Sequence, residues 1–246
     1  MNDTELTRDA FLGGLVHLWQ PRSGYRAGVD PVLLAATIPA VSGQRVLELG
    51  CGVGAAALCL GARVAGLELV GVERERSYAE LADRNGEGRL DVVHADIAAL
   101  PLTLRQRQFD HVLANPPYWR RDSSVAASVP VREAALGEET PLALWVEVAA
   151  KRLAPRGLLH MIHRAERLPD LLAALPRDMG SIEVLPIAAR TGRSAERLIL
   201  RARKSGRADF RLHAPLILHR GDSHIDGDQY APQVRDALRA GAALSF

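Results

Sequence analysis

Lysine is nearly missing from this chain of 246 residues: two stand against 29 arginines. Cysteine is equally scarce. Cys51 and Cys59 form no C-x-x-C pair, which excludes a disulfide framework and a cysteine-built zinc site. A reducing, cytoplasmic setting without a structural metal is therefore expected. No apolar run reaches about 18 residues, the length a membrane-spanning helix needs. The apolar stretch 11–19 follows Asp3, Glu5 and Asp9 and no basic segment, so it does not read as a signal peptide. His17, His94, His111, His160 and His163 show no metal-ligand spacing and are expected to pack or face solvent. Repeats and low-complexity linkers are absent too. What remains is the composition of a globular domain long enough to bury one sizeable core.

Charge is nearly balanced overall, at +2, but it is unevenly spread: residues 1–150 carry −5 and residues 151–246 carry +7. The basic side chains concentrate around Arg190, Arg193, Arg197, Arg201, Arg203, Lys204, Arg207 and Arg211. Such clustering is the electrostatic footprint of a phosphate-binding surface. A solvated face in an arginine-rich composition would look the same. Arg120 and Arg121 add to the first reading, together with Arg201, Arg203 and Lys204.

The most informative segment is Asn115-Pro116-Pro117-Tyr118, which follows the apolar run 109–114. Two consecutive prolines fix two φ angles and remove two backbone donors, and the first pushes Asn115 into extended backbone. One amide and one ring are thus held at a strand end. Asn115 and a proline carbonyl can accept hydrogens from an NH2 group while Tyr118 stacks on a flat ring. Stacking asks for the ring of Tyr118 and not for its hydroxyl. A nucleobase amine fits, and so does a planar side-chain amide.

Upstream, the run 45–49 enters a turn with Gly50, Gly52 and Gly54 and then an apolar helical stretch. This G-x-G-x-G spacing is not the G-x-G-x-x-G of dinucleotide folds. Glu48 precedes the turn. Glu73 ends a second apolar run, 19 residues after Gly54, where an open α/β sheet places its ribose-binding carboxylate. Asp96 follows a third run; as an isolated residue it also reads as a helix cap. Asp30 before Pro31 reads as a helix N-cap with proline at the first helical position. Further elements are expected as a hairpin over 11–20, helices over 77–85, 141–153 and 168–175, and strands over 157–163, 181–187, 197–202 and 215–219. The polar stretch 119–139 reads as a long loop beside the Asn-Pro-Pro-Tyr turn.

Glycine turn, ribose acid, third acid and Asn-Pro-Pro-Tyr, in that order, resemble the class I S-adenosylmethionine-dependent methyltransferases, and the last motif resembles their amino-methyltransferases. The resemblance implies an α/β, Rossmann-like doubly wound fold: a mostly parallel seven-stranded sheet, helices on both faces and an antiparallel edge pair. It implies one domain, with an N-terminal extension over 1–27, a core over 28–220 and a tail over 221–246. It implies S-adenosyl-L-methionine as cofactor, held by Glu48, Gly50, Gly52, Gly54, Glu73 and Asp96, with Gly28 and Asp30 closing over its methionine end. Asn115, Pro116, Pro117 and Tyr118 become the catalytic loop. Segments 12–31, 201–207 and 215–219 are similar to the bacterial tRNA1(Val) adenine-N6 methyltransferase group, which implies adenine N6 in tRNA as acceptor. Guanine N2 in RNA, DNA adenine and protein glutamine stay open. The stretch before the first core strand is too short for the helical domain that precedes glutamine methyltransferases, and no room is expected for a DNA target-recognition domain. An NAD(P)-linked oxidoreductase would leave the Asn-Pro-Pro-Tyr loop unexplained, and a binding module without catalysis would not need it. The oligomeric state is not legible.

Overall fold

The computed structural model describes residues 3–120, 137–138, 140–221 and 229–246. Its first half runs β1 (Leu6–Phe11), β2 (Val16–Pro21), α1 (Asp30–Ala36), β3 (Arg45–Leu49), α2 (Ala55–Arg63), β4 (Glu68–Glu73), α3 (Arg76–Gly86), β5 (Asp91–His94), α4 (Leu102–Arg105) and β6 (Phe109–Ala114). There follow two short strands, β7 (Trp119–Arg120) and β8 (Gly137–Glu138), which pair with each other. The second half is α5 (Leu142–Arg152), β9 (Leu153–Arg164), α6 (Leu168–Ala174), β10 (Met179–Ala188), β11 (Ala195–Lys204), β12 (Arg211–Leu212), β13 (Leu216–Ile217) and α7 (Pro232–Ala240). The rest of the loop expected over 119–139 lies outside the described residues.

The main sheet has the order β12-β10-β11-β9-β6-β3-β4-β5, with β13 also on β10. Strands β9, β6, β3, β4 and β5 are mutually parallel. β11 runs antiparallel to both β9 and β10. Seven strands carry the sheet, and the two-residue strands β12 and β13 bring it to nine by pairing with β10. β3 and β6 are buried on both faces, and their sequences are accordingly almost continuous apolar runs. Their side chains divide between two cores. Val46 and Leu113 face α1, α2 and α3, while Leu47, Val112 and Ala114 face α4, α5 and α6. Phe109 is fully buried at the base of β6, and burying a side chain of this kind stabilises by about 1.5–3 kcal/mol.

The hairpin expected over 11–20 around Gly13-Gly14 is present and extends over 6–21. Its turn is closed by the far end of the chain. A Cβ at Gly13 would sit 2.4 Å from the carbonyl oxygen of Arg239, at the end of α7. Val234 and Ala237 of α7 are fully buried, and Leu244 N–H donates to the Ala36 carbonyl at 2.9 Å. Residues 229–246 are thus ordered structure that joins α1 and the hairpin in one layer.

Two histidines sit inside the sheet. His111 on β6 and His160 on β9 are both buried, with Nδ1 of the first 3.2 Å from Nε2 of the second. His111 Nε2 lies 3.0 Å from Gln44 Oε1, which can only accept, so His111 carries its proton on Nε2. Its Nδ1 is then the acceptor, and His160 Nε2–H donates to it. His160 Nδ1 is left without a partner, so a second proton there would meet no acceptor. Burial pushes His111 down to about 4 and His160 well below the usual range, where the neighbouring ring adds to the effect. A base whose folded pKa lies below its unfolded value contributes stability above the unfolded pKa and loses it as pH falls. The pair should therefore contribute a drop in melting temperature as pH is lowered from about 6.5 to about 4. In a His111→Leu/His160→Leu double variant that drop, followed by circular dichroism, should be smaller; an equally steep profile would mean the pair does not titrate on unfolding.

Candidate active site

Parallel pairing brings the C-terminal ends of β3, β4, β5 and β6 to one edge of the sheet, and a cavity of about 420 Å³ opens there. That volume lies in the range typical of small-molecule sites. Glu48, Gly50, Gly52, Glu73, Asp96, Gly28, Asp30 and all of Asn115–Tyr118 line it. Residues from five separate segments of the sequence therefore meet in one place.

The turn after β3 explains its glycines. Gly50 has φ +64°, and a Cβ there would lie 2.5 Å from the Trp145 ring of α5. Gly52 has φ +55° and donates its N–H to Glu73 Oε2 at 2.8 Å. Gly54 does not reach the cavity. Its Cβ position faces Leu90 at 2.9 Å, and its φ of +84° turns the chain into α2. It shapes the turn from behind.

Glu73 already has work at both oxygens: Oε2 accepts from Gly52 N–H and Oε1 from Glu75 N–H, each at 2.8 Å. A carboxylate has about four acceptor positions, so each oxygen retains capacity for a ligand hydroxyl. Asp96 Oδ1 accepts from Ala98 N–H at 2.8 Å and caps a short 3-10 turn, as the cap reading expects, and the residue also lines the cavity. Asp30 does not cap α1. The N-cap position is Val29, without a side-chain bond, and the carboxylate turns instead to Tyr118 and Arg197.

Asn115 Nδ2 donates to the Tyr25 hydroxyl at 3.4 Å, and Asn115 Oδ1 is buried with no partner. The amide thus engages its donor side and leaves a buried acceptor unused in a residue that lines the cavity. The Tyr118 hydroxyl donates to Asp30 Oδ2 at 2.7 Å. The hydroxyl, which stacking does not ask for, thus has a partner of its own. Its ring also packs on His163, centroids 5.4 Å apart. Burial raises the hydroxyl pKa of Tyr118, and Asp30 raises it further.

The basic cluster does not gather here. β11 runs against β9, so Arg197 pairs with Arg164 at the cavity edge while Arg203 pairs with Leu158 at the opposite edge. Six residues of strand separate them, about 20 Å. Arg201 donates through Nε and Nη2 to Glu183 Oε1 (3.2 and 2.8 Å), and its guanidinium stacks on Phe246 at 4.1 Å. Lys204 Nζ donates to the Ala150 and Leu153 carbonyls at 2.9 and 3.2 Å, closing the last turn of α5. Arg203 is directed to the Arg156 carbonyl. Arg201 and Lys204 thus serve the fold, because each found an internal acceptor. Arg121 lies outside the described residues, and of Arg120 only the backbone is described. Among the described residues no group of three histidine, cysteine or acidic side chains could hold a metal, and no helix is long and apolar enough to cross a membrane. Trp145 lines the cavity without a sequence signal of its own, as do Tyr25, named only within the segment 12–31, and Arg197, read only as one of a basic cluster.

Glu48 is buried at the floor and accepts from Ala57 N–H at 2.8 Å. Burial pushes its carboxyl up to about 8, against that hydrogen bond, and Glu73 adds to the rise. An acid raised in the folded state contributes stability below its unfolded pKa and loses it as pH climbs through the folded value. Above about pH 6.5, where the histidine pair no longer opposes it, the ligand-free protein should therefore lose melting temperature up to about 8. Glu48→Gln, which keeps an acceptor for Ala57, should flatten that loss; an unchanged slope in differential scanning calorimetry would contradict the buried neutral acid.

Residues 27–186 match the family model described as methyltransferase small domain. The chain is 28% identical over 193 residues to the tRNA1(Val) (adenine(37)-N6)-methyltransferase of Actinobacillus succinogenes, covering 75% of this chain and 79% of the relative. Its identity to the protein of the same name from Porphyromonas gingivalis is 35% over 158 residues, covering 59% and 61%. Among solved structures, a predicted O-methyltransferase from Agrobacterium tumefaciens superposes with a TM-score of 0.72 at 28% identity, covering 88% of this chain and 99% of that one. The Thermus thermophilus 16S rRNA N2 G1207 methyltransferase, solved with AdoMet and guanosine, shares the fold at a TM-score of 0.54 and 24% identity, covering 81% and 50%. The matched segment takes in the glycine turn, Glu73, Asp96 and the Asn-Pro-Pro-Tyr loop: this chain belongs to the methyltransferase small domain family.

Proposed function

We propose that the protein transfers a methyl group from S-adenosylmethionine to the exocyclic N6 of an adenine in RNA, with tRNA as the substrate class. The observation that carries this reading is the buried, unpartnered Asn115 Oδ1 at the edge of the cavity. An orphaned buried acceptor costs about 1–3 kcal/mol, so it is expected to meet a donor in use. An amine hydrogen is such a donor. The tRNA adenine activity named for the curated relatives supports the choice of acceptor.

The cavity fits the cofactor. Glu73 has acceptor capacity for ribose hydroxyls beside the N–H-rich glycine turn, and the volume suits a molecule of that size. S-adenosylmethionine supplies the methyl group as an already activated sulfonium. The protein's part is positioning and charge placement. An aromatic amine is a weak nucleophile because its lone pair is delocalised into the ring. Asn115 Oδ1, and the Pro116 carbonyl beside it in the chain, accept its hydrogens and draw the lone pair back onto nitrogen as charge develops. Tyr118 offers a face for the base. A base in a helix reaches such a loop only when unpaired or flipped, and stacking offsets part of that cost.

The direct test is transfer of labelled methyl to total RNA, DNA and protein fractions, followed by nucleoside analysis. N6-methyladenosine in tRNA is expected; N2-methylguanosine, a 2′-O-methyl nucleoside or methylglutamine would overturn the substrate. Asn115→Ala should lower the methylation rate by about 100-fold or more, the scale of removing one preorganised polar group. Its S-adenosylmethionine affinity by calorimetry should stay within a few-fold of wild type. Glu73→Ala should weaken that affinity by at least about 10-fold, since hydrogen bonds to charged groups contribute about 1.5–3 kcal/mol. Wild-type affinity in this variant would remove Glu73 from the cofactor site.

A further inference from the structure

Tyr118 follows two prolines, so the backbone before it is stiff and the ring's placement falls to its own side-chain torsions. Two contacts choose among them. The ring lies against His163 of β9, and the hydroxyl donates to Asp30 Oδ2. Asp30 is held in turn. It stands in the first turn of α1, where a carboxylate ordinarily turns back to the helix N–H groups. Here it makes no capping bond. Its Oδ1 is ion-paired with Arg197 Nη1, and the two side chains are 14% and 28% exposed, respectively. A pair so shielded is screened less by water and salt than a surface pair.

Arg197 can make this contact because β11 is the strand that runs against its neighbours. Its beginning lies where the parallel strands end. The arginine reaches across 167 positions of sequence to Asp30, joining the end of the sheet, the start of α1 and the substrate loop.

We propose that Arg197 is a positioning residue for methyl transfer: it fixes the Asp30 carboxylate, which holds the Tyr118 hydroxyl and so sets the ring against which the acceptor base stacks. This rests on the methyltransferase reading above. It separates Arg197 from the other arginines of the basic region, because its effect runs through Tyr118 and not through the RNA phosphates.

A double-mutant cycle decides. Wild type, Arg197→Met, Tyr118→Phe and the combined variant are assayed on total tRNA from a strain lacking this gene, with kcat and S-adenosylmethionine affinity measured separately. Each single substitution should lower kcat by roughly 10-fold, within the range for coupled neighbours. Cofactor affinity should hold within about 2-fold. The combined variant should be no worse than Tyr118→Phe alone, and Arg197→Lys should recover part of the rate by keeping a cation beside Asp30. If the two losses multiply, Arg197 acts elsewhere and the proposal is overturned. A second readout needs no substrate. With the ring Cζ carbons of the four tyrosines labelled, Tyr118→Phe identifies the Tyr118 resonance. Arg197→Met should shift that resonance and leave Tyr230 in place. An unmoved Tyr118 signal overturns the proposal even if tRNA proves not to be the acceptor, whereas absence of wild-type transfer to tRNA with a shifted signal overturns only the substrate reading.

Discussion

The parallel pairing of β9, β6, β3, β4 and β5 is the constraint on which the rest of this molecule depends. Parallel strands must all end on one edge, and the crossovers must return over the faces. Glu48, the glycine turn, Glu73, Asp96 and Asn115 each stand at or just beyond a strand end, so pairing alone carries them to the same cavity. The cost of this arrangement is a sheet buried on both faces. The chain meets it with apolar strands and with small residues at contacts such as Gly50 against Trp145.

β11 is the departure that completes the site. As the one main strand opposed to its neighbours, it puts its first residues at the cavity edge and its last at the other. One arginine of a basic run thereby enters the site, while Arg201 and Lys204 are taken up by Glu183 and by the carbonyls at the end of α5. Electrostatic inference from the run treated these side chains as equivalent. Strand direction and the nearest acceptor made them different, since a guanidinium or ammonium satisfied inside the fold is no longer offered to phosphate.

Charge inside the site is handled by burial as much as by pairing. Glu48 is held neutral by its surroundings near neutral pH, and Glu73 is pushed the same way by burial while three backbone N–H groups pull against it. Asp30 has both an arginine and a phenol as partners. These three of the acids that line the cavity thus differ in how burial and partners treat their charge. The Asn115 amide is oriented by Tyr25, whose own backbone carbonyl accepts from the Tyr78 hydroxyl at 3.0 Å. The unpartnered amide is thus backed by a tyrosine pair.

The local rules of the sequence were enough for the elements and for much of the site. Apolar runs ending in Glu73, Asp96 and Asn115, alternating glycines after β3, and two prolines before Tyr118 each have a mechanism that acts within a few residues, so they are legible without tertiary contacts. The hairpin at Gly13-Gly14 and the antiparallel β10–β11 pair follow from the same short-range signals. Partner choice was not legible. Asp30 read as a helix cap because Asp before Pro is one locally, yet in the fold it faces a hydroxyl and a guanidinium brought from 88 and 167 positions away. Gly54 read as a ligand contact and serves α2 and Leu90 instead. Trp145 carries no motif, and Arg197 was legible only as one of a basic run, because a side chain that meets its partner only across the sheet leaves no spacing in the chain to be read. Sequence determined which groups stand at the strand ends; the packing of distant segments decided what each group touches, since hydrogen bonds and ion pairs are selected by distance in space and not along the backbone.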